Sequence, residues 1–214
     1  MSRAVAVTVA QMREAEAVAM AKVGGDALMQ RAAEGLYQVV LRELAARRGS
    51  VTGASVLVLA GPGNNGGDGL FAGLCLARDG VAVSACRTGS SVHELGWTAL
   101  MAAGGVEIGL DELVPRLGEF DLAVDAIFGI GGKPGLRPPL DALAEAVAAS
   151  GVPVVACDLP SGMSADPPFG VAEGAVFIRP EVTVTFGAPK QCHVTEPAKS
   201  ACGKIELVDI GLAF

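Results

Sequence analysis

No block of basic residues occurs in these 214 residues. Lys and Arg number 16 against 23 Asp and Glu, a formal charge of −7. A chain without a positive stripe lacks the electrostatic footprint of a nucleic-acid binder. No C-x-x-C pair occurs among Cys75, Cys86, Cys157, Cys192 and Cys202, so the spacing offers no zinc ribbon and no dithiol redox motif. An odd number of cysteines in mostly apolar segments reads as small core hydrophobes in a reducing cytosol, and a cytoplasmic location is expected. No run of about 18 apolar residues is present, which argues against a membrane-spanning helix. The N-terminal "AVAVTVA" is broken by Thr8 and leads into a helical pattern without a cleavage site, so no secretory signal is read. Internal repeats and low-complexity tracts are also missing.

What is present fits one α/β domain spanning 1–214, long enough to bury a core on both faces of a sheet. Thr8 with Gln11 has capping-box spacing, and Asp26 after Gly24-Gly25 is a second start signal, so helices are expected near 9–22 and 27–47. Short apolar runs follow near 54–60, 81–86, 106–108, 122–127, 152–157, 182–186 and 204–209. Up to about residue 150 they alternate with segments of helical period, the pattern of a three-layer α/β/α, Rossmann-like fold with a mostly parallel central sheet. Ser91 with Glu94 predicts a helix through about Ala103, and Pro138-Pro139 opens another through Ser150. Beyond Ser150 no helix is expected. The single tryptophan, Trp97, is placed in the core or a dimer interface.

In open parallel sheets ligands lie outside the carboxyl ends of the strands, where the strand order reverses. Three strand ends carry polar groups. The first, "GPGNNGGDGL" at 61–70, contains a literal G-x-G-x-x-G. A pyrophosphate bound there would lie close to Asp68, and at about 4 Å two like charges repel by roughly 4 kcal/mol. The loop therefore addresses something other than a phosphate; Asn64 and Asn65 suit a neutral polar group, a cation or a hydroxyl-bearing ring. Arg87, at the end of the next strand, suits a 2′-phosphate if an ordinary dinucleotide reading holds. The second strand end, "VDAIFGIGGKPG", offers Gly129, Gly131, Gly132 and Gly135 as a backbone cradle, with Lys133 adding charge. Lys133 is followed by Pro134, so it is no P-loop. The third, "VVACDLPSGMSAD", places Asp158 and Ser161 in a turn. Asn65, Asp125 and Ser161 are hard oxygen donors, which favours an alkali or alkaline-earth cation over zinc or copper.

With "AGPGNNGGDGL", "VDAIFGIG", "DLPSGMSAD", "TVTFGAPK" and "GKIELVDIGL", the sequence resembles the NAD(P)H-hydrate epimerases of the YjeF N-terminal type over nearly its whole length. The resemblance implies a commonly dimeric, Rossmann-like domain that interconverts the R and S epimers of hydrated NADH and NADPH. A separate dehydratase then repairs them. Carried over by motif, Asn64, Asn65, Gly66, Gly67 and Asp68, the loop Gly129, Ile130, Gly131, Gly132, Lys133, Pro134 and Gly135, and Asp158 contact the hydrated nucleotide. Asn65, Asp125 and Ser161 hold a potassium ion. Gln30, Arg31 and Pro180 depart from common family residues at the pocket rim or dimer edge. Loss of the ring hydroxyl leaves an iminium that carboxylates stabilise, and water returning to the other face gives the other epimer. Asp158 is the expected proton-transfer group, with Asp68 in reserve. Two other readings stand beside this one: an NADP-dependent oxidoreductase and a non-enzymatic nucleotide-binding scaffold.

Overall fold

The computed structural model describes residues 5–214. Helix α1 (Val9–Val23) begins at a capping box in which the Thr8 hydroxyl accepts the Gln11 N–H and the Gln11 side chain accepts the Thr8 N–H. Helix α2 (Gly25–Arg48) starts one residue before Asp26. Gly24, at φ 84°, makes the break and occupies the N-cap position without a side chain. Asp26 lies in the first turn of α2 rather than before it.

Strands β1 (Ser55–Ala60), β2 (Ala82–Arg87), β3 (Val106–Glu107), β4 (Leu122–Ala126), β5 (Val154–Cys157), β6 (Val182–Phe186) and β7 (Lys204–Val208) form one sheet in the order β3-β2-β1-β4-β5-β6-β7. Every pairing is parallel. The pleat sorts β1 between two cores: Val56, Val58 and Ala60 pack with α2, helix α3 (Asn64–Arg78) and helix α4 (Glu94–Ala102). Leu57 and Leu59 pack on the other side with helix α5 (Leu110–Leu113), the 3-10 turn at Val114–Glu119 and helix α6 (Leu140–Ser150). No described helix is long and apolar enough to cross a membrane.

Two expectations about helices are corrected. Helix α4 is capped by His93, whose Nδ1 accepts the Gly96 N–H at 3.2 Å, and not by Ser91. The first helical residue is Glu94, so only the His93 side chain stands opposite the third amide. After Ser150 two one-turn helices do occur, α7 (Gln191–Val194) and α8 (Ala198–Ala201); four residues are too few to show an apolar period. Trp97 is 5% exposed and lies in the core, with the Arg87 guanidinium 4.0 Å above its ring. Arg31 donates to the Ile210 carbonyl at 2.8 Å.

The strand order reverses between β1 and β4. From β1 the chain moves outward to β2 and β3; from β4 it moves the other way to β5, β6 and β7. Helix α3 crosses this point in close contact with the sheet: a Cβ on Gly69 would come within 2.4 Å of the Ala126 Cβ, and one on Gly66 within 2.0 Å of the Gly61 carbonyl oxygen. The carboxyl ends of β1, β4 and β5 open on the same side, as parallel pairing requires.

Candidate active site

A cavity of about 520 Å³ lies at this reversal, walled by the loops after β1, β4 and β5 and roofed by α1 and α2. Asn64, Asn65, Asp68, the Gly129–Gly132 stretch and Asp158 all line it, so folding brings together residues from the first and second loops and one from the third. Gly66 and Gly67 do not line it; both are buried. A Cβ on Gly67 would meet the His93 ring at 3.0 Å, so the pair lets α3 pack closely. Lys133 and Gly135 line a second cavity of about 450 Å³, next to the first and sharing Phe128, Gly131 and Gly132 with it. Pro134 lines neither.

Asp158 is the best-determined group. It follows the last residue of β5 with φ 66°, the one described non-glycine residue at positive φ, a conformation uncommon for any residue with a side chain unless surroundings enforce it. They do. Its Oδ1 accepts the Lys190 ammonium at 2.5 Å and the Thr185 hydroxyl at 3.2 Å, and its Oδ2 accepts the Ile130 N–H at 3.2 Å. Lys190, 1% exposed, also donates to Thr185 Oγ1 at 2.8 Å and to the Phe186 carbonyl at 3.1 Å. All three ammonium protons are matched. In the sequence this lysine closes the stretch "TVTFGAPK", where nothing marks it as buried.

Asp68 has the opposite environment. Part of its surface faces the cavity, yet no described group donates a hydrogen bond to it. Burial, reinforced by the charges of Asp158 and Glu16, pushes its carboxyl well above the usual range. Glu16, reaching in from α1, is raised first by burial and then by Asp158. With Asp26 added, four carboxylates and one ammonium line the cavity. That balance favours a ligand part that is or becomes cationic. Donors suited to an anion are offered by the glycine loop, where the Gly129 and Gly131 N–H groups meet no described protein acceptor.

Asp125 and Ser161 lie behind this wall, both wholly buried. Asp125 accepts the Ser161 hydroxyl at 2.6 Å, the Ser161 N–H at 2.8 Å and the Ile127 N–H at 3.3 Å; Ser161 Oγ in turn accepts the Phe128 N–H at 3.0 Å. These bonds lower the carboxyl, but burial outweighs them and raises it to about 6. The carboxylate thus has donors, but no described basic side chain pairs with it. Nearby on the cavity wall, the Asn65 amide nitrogen is buried without a partner, and its Oδ1 stands 3.0 Å from where a Cβ on Gly129 would be. A buried carboxylate, a hydroxyl and an amide carbonyl are hard oxygen donors, the chemistry an alkali cation takes. The expected donor set fits in this respect.

Arg87, the candidate for a 2′-phosphate, is engaged elsewhere: it stacks on Trp97 and donates to Glu107 at 3.1 Å. Sequence reasoning missed Lys190, Thr185, Glu16 and His93. Of these, only Thr185 and Lys190 stood inside a quoted stretch, "TVTFGAPK".

The sequence profile of the family described as YjeF-related protein N-terminus matches residues 25–192. The bifunctional NAD(P)H-hydrate repair enzyme Nnr of Mycobacterium leprae is 43% identical over 96% of this chain and 41% of its own length. The NAD(P)H-hydrate epimerase of Clavibacter michiganensis subsp. michiganensis is 40% identical over 95% of this chain and 89% of its own. Among solved structures, the yeast protein ynu0 superposes with a TM-score of 0.76 at 29% identity, covering 90% of this chain and 85% of that one. The chain spans about two fifths of the length of the bifunctional relative.

Proposed function

The chain belongs to the YjeF-related N-terminal family, and from that premise we propose that it is an isomerase interconverting the R and S epimers of hydrated NADH and NADPH. One observation carries the reading: two carboxylates, Asp68 and Asp158, face one cavity in opposite environments. Such a pair separates a proton donor from a proton acceptor. Asp68, lacking donors and raised by burial, holds the proton. Asp158, held by Lys190, Thr185 and the Ile130 amide, stays an acceptor.

The ring nitrogen expels the hydroxyl as Asp68 protonates it, so the C–O bond breaks, water leaves and the ring becomes an iminium. The carboxylates around the cavity lower the energy of that cation, and they do so more as its charge develops, which makes the effect catalytic. Water then adds to the opposite face and gives a proton to Asp158; exchange with solvent resets both acids. This reading moves the donor role, expected from sequence for Asp158, onto Asp68. The Gly129 and Gly131 amides suit the substrate's pyrophosphate, which lies away from Asp68. Asn65, Asp125 and Ser161 would hold a potassium ion, whose charge would stabilise the ionised form of Asp125 and fix the loops it joins.

The other readings are weaker. Arg87 is occupied, which removes the feature that favoured an NADP-dependent oxidoreductase, and a scaffold has no use for a positive-φ aspartate held by a buried lysine. A homodimer, coupling to a separate dehydratase and a cytoplasmic setting, in keeping with five free thiols, complete the proposal. Proton NMR of an epimer mixture of hydrated NADPH tests it: enzyme at micromolar concentration should speed exchange between the epimers without consuming cofactor. An unchanged exchange rate refutes the assignment, and net NADPH oxidation points to the dehydrogenase.

A further inference from the structure

The cysteine spacing shows no metal motif, yet folding gathers two of the five thiols around an imidazole. Cys192 and His193 are neighbours on α7, Cys202 follows α8, and one donor atom from each lies within 4.8 Å of the others. Both cysteines are wholly buried and His193 is 2% exposed. The surroundings are apolar, formed by Leu159, Met163, Ala165, Phe177 and Ala198. His193 Nδ1 accepts the Lys190 N–H at 3.1 Å, whereas Nε2 is buried with no described partner. Cys202 Sγ meets the Cys192 carbonyl at 4.0 Å, and the Cys192 thiol lies against both Cys202 and the His193 ring.

A buried ring nitrogen without a partner is unusual in a folded protein and calls for an explanation. Two thiols beside it supply one, because sulfur and imidazole together select soft, thiophilic cations. We propose that Cys192, Cys202 and His193 form a binding site for a thiophilic d10 cation, Zn(II) or Cu(I). On binding, each thiol releases its proton and both become thiolates. The acceptor role of Nδ1 places the imidazole proton on Nε2 in the metal-free chain, so ligation through Nε2 moves that proton to Nδ1 and gives up the bond from the Lys190 amide. One amide hydrogen bond is exchanged for a metal–nitrogen bond. Bonds of about 2.3 Å to sulfur and about 2.0 Å to nitrogen place donors roughly 3.5–4.0 Å apart in trigonal or tetrahedral geometry, a spacing compatible with donor atoms that lie within 4.8 Å of one another. Three protein donors satisfy trigonal Cu(I); Zn(II) needs a fourth, exogenous ligand. Because α7 begins directly after Lys190, the ion would fix the segment that brings the ammonium to Asp158.

The test uses the whole chain, stripped of metal and kept reduced without oxygen. Titration with Zn(II) or Cu(I) against a chromophoric chelator should show one equivalent retained, and the preferred ion tells which of the two the site takes. Co(II) should give a thiolate charge-transfer band on the unmodified chain, a readout that needs no variant to fold. The Cys192→Ser/Cys202→Ser protein should lose the equivalent and the band, while Cys75→Ser should keep both. Absence of retained metal and of the Co(II) band in the unmodified chain overturns the proposal, as does an equal stoichiometry in the double variant.

Discussion

Replacing Lys190 by Met keeps most of the side-chain volume and removes one charge from a buried cluster. The ammonium makes three contacts, with Asp158 at 2.5 Å, Thr185 at 2.8 Å and the Phe186 carbonyl at 3.1 Å. Both charged partners are nearly sealed, Lys190 at 1% and Asp158 at 7% exposure. Without the lysine, Asp158 keeps one hydroxyl and one amide as donors, and its charge sits unpaired beside Glu16 and Asp68. Breaking a buried pair from one side costs about 3–5 kcal/mol, mostly because the remaining charge is left without a counterion. In a chain of this size 1 kcal/mol moves the midpoint by about 2–4 °C, so Lys190→Met should melt roughly 10 °C lower. The double variant Lys190→Met/Asp158→Asn removes both charges and should regain much of the loss, since apolar or neutral replacements of whole pairs are often near neutral. Thermal unfolding by circular dichroism at fixed pH measures all four corners of the cycle. A single-variant drop under about 2 °C, or a double variant whose loss equals the sum of the singles, would refute the argument that charge pairing holds this corner together.

Three further outcomes are expected. Asp68→Asn and Asp158→Asn should each slow epimer exchange by ~10²–10⁴-fold, the usual contribution of one proton-transfer group; exchange within threefold of the unmodified rate in either variant removes that residue from the mechanism. Asp125, raised from 3.8 to about 6 by burial, favours the folded state in its protonated form. That contribution, roughly 3 kcal/mol, is complete below about pH 3.8 and is lost as pH rises through about 6. A potassium ion paired with the ionised carboxylate would offset the loss, so potassium should raise the melting temperature more at pH 8 than at pH 5, and an equal rise at both would mean Asp125 is not its ligand. Gly129→Ala would set a methyl 3.0 Å from both Asn65 Oδ1 and Asp158 Oδ2; KM should rise severalfold with a melting temperature within a few degrees, and unchanged KM would show that the substrate does not approach this loop.

The fold and the loops at its centre were legible because their signals are local. Apolar runs of strand length alternating with helical periods announce a parallel sheet, and "GPGNNGGDGL", "FGIGGKPG" and "DLPSG" stand at strand ends whatever the order of the strands. The division of those loops was not legible. Gly66 and Gly67 let α3 approach the sheet closely, and Lys133 lines the second cavity and not the first. His93 could have been found as a cap only with the exact start of α4 known, and helix starts are uncertain by a residue or two from sequence.

Lys190 shows most clearly what a linear reading lacks. A lysine in "GAPKQ" reads as a solvated loop cation. What buries it is strand register: Cys157 pairs with Val184, so the next residues, Asp158 and Thr185, stand side by side at the ends of β5 and β6. Gly187, at φ 72°, turns the chain after β6, and the ammonium three residues later reaches the carboxylate 32 positions upstream. Each step is individually ordinary, but the charge pair exists only when all of them hold. The same turn carries Cys192 and His193 toward Cys202, so the two features least visible in the sequence share one cause, the path taken by residues 186–202 after β6.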